Sequence, residues 1–265
     1  MKQKKQAVKE SEFAAPGPET EQKLRVLAII PAREGSKGIK DKNVATCEGR
    51  PLIAWTIEAA RKAGNIDRLI VSTDSQRYKE MLEHDYGKDL FPFLRPEKFA
   101  DDKAPSSDVI IHALDRLIEL GEEPFDIVVL LEPTSPLRTA EQINEAIQIL
   151  KQSQKARAIV SIVESPSHHP LLAFEIDKSG KMFPYGQEHN KEYPGHPRRQ
   201  ALRPAYFMSG DLYLSYVDTY RERLSFNHDL TAGYIVQSWQ GDEVDEPVDL
   251  IRVSAILHAK REGKL

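Results

Sequence analysis

The residues best equipped for chemistry lie together in Pro31-Ala32-Arg33-Glu34-Gly35-Ser36-Lys37-Gly38-Ile39-Lys40-Asp41-Lys42-Asn43, directly after the apolar run Val26 to Ile30. Glycines let backbone N–H groups approach an anion, an arginine grips oxygens with a two-pronged fork, and lysines act as point charges. Gly35 and Gly38 are the expected close-approach positions, with Arg33, Lys37 and Lys42 as the cations and the Ser36 hydroxyl between them. A triphosphate needs this combination, although a solvated βα turn can also be rich in glycine and lysine. The segment lacks the Gly-Lys-Ser/Thr of a Walker loop and the G-x-G-x-x-G of a dinucleotide site, which argues against ATPase and dehydrogenase chemistry.

A second constellation stands near the other end. In Glu243-Val244-Asp245 two carboxylates are two residues apart, so an extended backbone points both the same way. Hard oxygen ligands in so short a run suit magnesium or manganese, which take one or two carboxylates and complete their shell with phosphate and water. The same acidic stretch also reads as a solvated turn before a helix, with Asp245, Glu246 and Asp249 serving its N-terminal dipole. Between the two lie Asp74, at a strand end where either a helix cap or a site carboxylate belongs, and Glu132 to Arg138. In the latter, two prolines shape a loop from which Thr134, Ser135 and Arg138 can face a cleft.

An alternating series of elements must position these groups. Val26 to Ile30, Leu69 to Val71, Phe91 to Leu94, Ile127 to Leu131 and Ala158 to Val163 read as strands. Between them run helices: one opened by Pro51 and stopped by Gly64-Asn65, one over Ser75 to His84, one opened by Ser106 or Ser107, and one with the capping-box spacing Thr139 to Gln142. The pattern predicts an α/β fold, a mostly parallel, doubly wound sheet with ligands at the carboxyl ends of its strands, after Ile30, Val71 and Leu131. Regularity breaks over residues 165–204, an inserted arm with a hairpin of Leu171 to Ile176 and Met182 to Tyr185. Strands resume at Tyr206 to Ser215 and Tyr234 to Trp239, before a helix over Val248 to Arg261.

Composition excludes some partners. With 37 basic and 41 acidic side chains among 265 residues, no global field draws the chain to nucleic acid or membrane. The one cysteine, Cys47, forms no internal disulfide and fits a small core filler in a reducing compartment. Residues 1–23 are read as a disordered leader, residues 24–265 as one domain, and the protein as cytoplasmic.

Five ordered blocks carry a resemblance: Ile29 to Asn43; Ser72-Thr73-Asp74 with Leu94-Arg95-Pro96; Glu132-Pro133-Thr134-Ser135-Pro136-Leu137-Arg138; Arg198-Arg199-Gln200; and Asp245. Together they resemble the acylneuraminate cytidylyltransferase (CMP-sialic acid synthetase) family, over about Leu24 to Lys260. The resemblance implies a nucleotide-diphospho-sugar transferase-like, Rossmann-like fold and a homodimer using the arm. It places Arg33, Ser36, Lys37, Lys42, Asn43 and Asp74 on CTP, with Arg95 at the cytosine or ribose edge. Glu132, Thr134, Ser135, Arg199, Gln200 and Tyr213 fall on an acidic keto sugar, and Asp245 with Glu243 on Mg²⁺ or Mn²⁺. Ser106, Ser107 and Asp108 match a nucleoside-binding loop, yet stand equally where a helix cap would; Tyr213 fits a core tyrosine as well.

The implied reaction is in-line attack of the sugar's anomeric hydroxyl on the α-phosphorus of CTP, with Arg33, Lys37 and Asp245 as the catalytic groups. Three departures mark this chain: Glu132 where relatives usually carry glutamine, Ser209 where they carry asparagine, and Glu243 where they carry aspartate. They keep two rivals in view, a 3-deoxy-octulosonate cytidylyltransferase and a catalytically silent nucleotide-binding protein. The first typically shows arginine-leucine-proline-glycine where this chain has Lys37-Gly38-Ile39.

Overall fold

The computed structural model describes residues 23–36, 38–101, 105–165, 169–186 and 198–265. Its frame is a six-stranded sheet of β1 (Val26–Pro31), β4 (Arg68–Ser72), β5 (Ile127–Leu130), β6 (Ala158–Glu164), β9 (Tyr206–Tyr216) and β10 (Thr231–Val236). Two small ribbons, β2 (Thr46–Cys47) with β3 (Arg50–Pro51) and β7 (Phe174–Ile176) with β8 (Met182–Pro184), lie outside it. The strand order is β10-β6-β9-β5-β1-β4, and only β9 runs against its neighbours.

Strand β1 shows why the sheet is covered on both faces. All five residues from Val26 to Ile30 are fully buried, and the period of two sends them to opposite sides. Val26, Ala28 and Ile30 meet α1 (Leu52–Lys62), α2 (Gln76–Tyr86) and α4 (Ala140–Gln152) through Ile53, Ile57, Leu82, Ile143 and Ile147. Leu27 and Ile29 meet α3 (Ser106–Glu119) and α5 (Val217–Arg223) through Ile110, Leu114, Leu117 and Tyr220. Each such side chain contributes roughly 1.5–3 kcal/mol on burial, so the run is specified by packing rather than by strand propensity.

A third, smaller core seats α6 (Pro247–Arg261) against the β2–β3 ribbon, with Val253 and Leu257 packed on Cys47, Leu52, Leu137 and Val244. Cys47 is thus the buried filler its type suggested.

Several local expectations need correction. Phe91 to Leu94 is no strand: Phe91 and Phe93 are buried anchors, but their backbone joins no ladder. Pro51 ends β3 and caps α1 from outside, so the helix opens at Leu52. Neither Ser106 nor Ser107 caps α3, whose cap position is Pro105. The last strand stops at Val236, short of Trp239. The Thr139–Gln142 capping box is formed at α4 as expected, and the arm's hairpin pairs Phe174–Ile176 with Met182–Pro184. Residues 1–22 and 187–197, and with them most of the leader and part of the arm, lie outside the described residues.

Candidate active site

The carboxyl ends of β1 and β5 open onto one cleft of about 640 Å³, whose walls include Arg33, Ser36, Lys42, Asn43, Arg95, Glu132, Thr134 and Asp245. Eight of the residues expected at a site from sequence are thereby brought together from four separate stretches of chain.

The loop after β1 is held from behind. Asn43 is buried and its Nδ2 donates to the Arg33 carbonyl at 3.0 Å, closing the loop on itself. The Glu34 N–H donates to Asp74 Oδ1 at 3.0 Å. Asp74 is therefore not the cap of α2; that role belongs to Ser75, whose side chain accepts from the Tyr78 N–H at 3.1 Å. Arg77 Nη2 bridges Glu34 and Asp41 at 2.6 Å each, and the Tyr78 hydroxyl donates to Asp41 at 2.9 Å. Gly35 has a φ of 91°, a conformation open to glycine.

Arg95 reaches the cleft with its backbone N–H on the Thr73 carbonyl at 2.7 Å. Its side chain is almost fully buried, lies 3.7 Å from Asp74 Oδ1, and leaves Nε and Nη2 without hydrogen-bond partners. Burial lowers its pKa, against the pull of Asp74. Leaving buried N–H donors unsatisfied costs about 1–3 kcal/mol each, and a ligand's acceptors at this wall would recover it.

The acidic segment approaches from the opposite side. Val244 is fully buried and its N–H donates to the Thr134 carbonyl at 2.8 Å. Asp249 Oδ2 accepts from the N–H groups of Asp245 (3.1 Å) and Glu246 (2.9 Å), so it completes the capping box of α6, whose cap is Glu246, and fixes the Asp245 backbone at once. Asp245 Oδ1 pairs with Lys42 Nζ at 2.8 Å. Gly38 packs on the same residue: a Cβ there would stand 2.4 Å from the Asp245 carbonyl oxygen. Glu243 lies over Gly210, whose φ is 61° and where a Cβ would fall 1.5 Å from Glu243 Oε1.

Beneath the cleft floor Arg138 and Asp211 form a fully buried pair, Nε to Oδ1 3.7 Å. Arg138 also donates to the Asp211 carbonyl, to Thr56 Oγ1 at 3.3 Å and to the Glu132 carbonyl at 3.1 Å, stapling the loop after β5 to β9. It is thus a buried brace, not the cleft-facing group expected. The surrounding carboxyls are crowded. Burial pushes Glu132 up to about 7 despite Arg138, Lys42 and Arg95. Burial, then Asp245, Glu132 and Asp211, push Glu243 up to about 7, and burial takes Asp211 to about 6 against the pull of Arg138.

A second hollow of about 350 Å³ adjoins the first and shares Ser106, Leu130 and Glu132 with it; Tyr213 and Phe226 line its far side. Tyr213 is consequently both a packed aromatic, 5.7 Å from Phe226, and a wall residue. Ser135 is fully buried with its hydroxyl unpartnered and does not line either hollow. Gln200 is exposed on the turn Arg199–Ala201 and is not among the walls. Lys37 and the Arg199 side chain lie outside the described residues. Arg77 and Tyr78 were missed as site-builders; the only sequence signal was their place beside motif residues.

A family model described as cytidylyltransferase matches residues 27–236. The chain belongs to the cytidylyltransferase family. It is 30% identical to the N-acylneuraminate cytidylyltransferase of Escherichia coli over 92% of its length, and it spans 54% of that longer protein. It is 32% identical to the CMP-N,N'-diacetyllegionaminic acid synthase of Legionella pneumophila, matching 91% of this chain and 99% of the relative. Among solved structures, a CMP:2-keto-3-deoxy-manno-octonic acid synthetase complexed with CTP shares the fold at a TM-score of 0.64, with 16% identity over 89% of this chain and 99% of that one. No helix among the described residues is long and apolar enough to cross a membrane.

Proposed function

We propose that this cytidylyltransferase transfers CMP from CTP to the anomeric hydroxyl of an acidic 2-keto sugar of the sialic or legionaminic class, with release of pyrophosphate. The observation that carries the reading is the meeting, around one cleft, of the glycine-rich cationic loop, the buried Arg95 with Nε and Nη2 lacking hydrogen-bond partners, and Asp245. Arg33 and Lys42, with Lys37, would hold the triphosphate, and Arg95 would meet the base or ribose. The adjoining hollow with Glu132 and Tyr213 would take the sugar, its acidic group read by Arg199 and Gln200.

A divalent cation fits the acidic segment. Burial first, and then Asp245, Glu132 and Asp211, push the Glu243 carboxyl upward, and a cation would relieve that gathering of hard oxygens. Among the described residues no three acidic, histidine or cysteine side chains converge, but magnesium typically takes only one or two carboxylates beside phosphate oxygens. Bound there, it would neutralise charge developing on the phosphates. The chain's own part is to fix geometry: Gly38, Val244 and Asp249 set the Asp245 backbone, and Lys42 shares its charge. Positioning and electrostatics of this kind account for most of phosphoryl-transfer catalysis.

The reading extends to a cytoplasmic homodimer, supported by the exposed Leu171, Ile176, Met182 and Tyr185 of the arm and tested by sedimentation. For the reaction, pyrophosphate release is measured with CTP and Mg²⁺ across nine- and eight-carbon keto acids. Turnover with a sialic, legionaminic or related nonulosonate is expected. Activity confined to the eight-carbon sugar, or CTP binding without turnover on any acceptor, would overturn it.

A further inference from the structure

A nucleotide brings a flat base as well as charged phosphates, and a base is held best against an aromatic ring. Among the described residues that wall the cleft, one side chain is aromatic, Phe99. It ends the 3-10 turn Glu97–Phe99, four residues after Arg95, and its N–H donates to the Pro96 carbonyl at 2.9 Å. Val109, on the first turn of α3, lines the same cleft. Donors on Arg95 and an apolar flank thus stand close together in the chain. The Phe99 ring is backed by a row of rings: its centroid lies 5.2 Å from that of His112, tilted by 45°, and His112 meets the buried Phe93 edge-on at 5.2 Å and 89°. Burial, then Arg116 and Arg95, lowers the pKa of His112, which therefore packs as a neutral ring. Lys98 Nζ stands 4.7 Å over the Phe99 ring on an exposed side chain. An exposed cation–π contact is weaker than a base stacked on an aromatic face, so the lysine yields to a base.

We propose that Phe99 is the base-packing residue of the cleft: the pyrimidine ring of the nucleotide lies against Phe99, beside Val109, while His112 and Phe93 fix the Phe99 ring from behind. The inference deepens the nucleotide reading of the cleft and rests on it. Phe99 lies outside the five sequence blocks that carry the family resemblance, and its place is visible only once the turn after Arg95 is folded against α3.

Calorimetry in the presence of Mg²⁺ measures CTP, CMP and inorganic tripolyphosphate on wild type, Phe99→Ala, Phe99→Leu and Phe99→Tyr. Phe99→Ala should weaken CTP and CMP by the same factor, about tenfold, and tripolyphosphate, which has no base, by less than about twofold. Phe99→Leu keeps the apolar volume, and with it the fold, but loses the flat face, so it should weaken CTP about threefold. Phe99→Tyr restores the ring and should stay within about twofold of wild type. Phe99→Ala at wild-type CTP affinity, an equal loss for tripolyphosphate, a loss for CTP that spares CMP, Phe99→Leu equal to wild type, or Phe99→Tyr as weak as Phe99→Ala would overturn the inference. Wild type that binds no CTP would instead sink the nucleotide reading, and the inference with it.

Discussion

Gly38→Ala is the sharpest probe of the site. The added methyl would stand 2.4 Å from the Asp245 carbonyl oxygen, where ordinary contacts begin at 3.4 Å, so the phosphate loop and the acidic segment must separate by about 1 Å. The obstacle is backbone and cannot swing aside. Asp245 is itself held by Asp249 and, through Val244, by Thr134, so the displacement falls largely on the loop that carries Arg33 and Lys42. A misplacement of about 1 Å costs on the order of 10²-fold in rate, equivalent to roughly 2.7 kcal/mol of transition-state stabilisation. Overpacking should lower stability by about 1–3 kcal/mol. Steady-state pyrophosphate release gives kcat and KM, and thermal unfolding gives stability. Gly35→Ala is the control: among the described residues, its chain neighbours aside, no atom lies within 4 Å of its Cβ, but its φ of 91° strains alanine, so it should lose stability while keeping far more activity. A Gly38→Ala enzyme within about threefold of wild type, or one no worse than Gly35→Ala, would refute the idea that this contact sets the distance between loop and acid.

Other expectations follow from the same geometry. Arg33→Ala should abolish measurable turnover with an unchanged melting temperature, since the side chain lines the cleft; near-normal kcat/KM would remove its phosphate role. Gly210→Ala should displace the Glu243 carboxylate, and because its φ is 61° it should also cost about 1–2 kcal/mol of stability; kinetics should match Glu243→Ala, and adding Gly210→Ala to Glu243→Ala should cost little further activity. Glu132 has a folded pKa of about 7 against an ordinary 4.5, so its protonated form favours the fold. That contribution, at most about 3 kcal/mol, is fully present below pH 4.5 and lost as pH rises through 7; melting curves of Glu132→Gln should therefore fall less steeply over this window than wild type, and equal slopes would count against the shift.

How much of this was legible in the sequence depends on how far apart the interacting groups lie. β1 and β5 are unbroken apolar runs, and α4 declares itself by Thr139 and Gln142, three residues apart; such signals are local and survive folding unchanged. Phe91 to Leu94 misled because two buried phenylalanines at alternate positions satisfy a strand's packing without any partner strand to complete its ladder. Asp74 and Ser75 could not be told apart as cap and site residue until the Glu34 backbone arrived from 40 residues upstream. Arg138 failed for the same reason on a larger scale: its partner Asp211 is 73 residues away, and nothing near Arg138 announces that the guanidinium turns inward.

The site itself divides along the same line. The proposed phosphate loop needs only glycine, charge and a strand end, all within one short stretch, and so its expectation could be formed before any fold was known. The acidic segment was legible as a spacing, two carboxylates two residues apart, but not as a direction, which Val244 between them sets. That side chain is buried against Leu52, Leu137, Val253 and Leu257 and acts as the pivot that sends Asp245 toward Lys42, on a loop some 200 residues earlier in the chain. An apolar residue with no chemistry of its own therefore decides whether the acids meet the cations. Truncating it should disorder the acidic arm of the site before it unfolds the sheet.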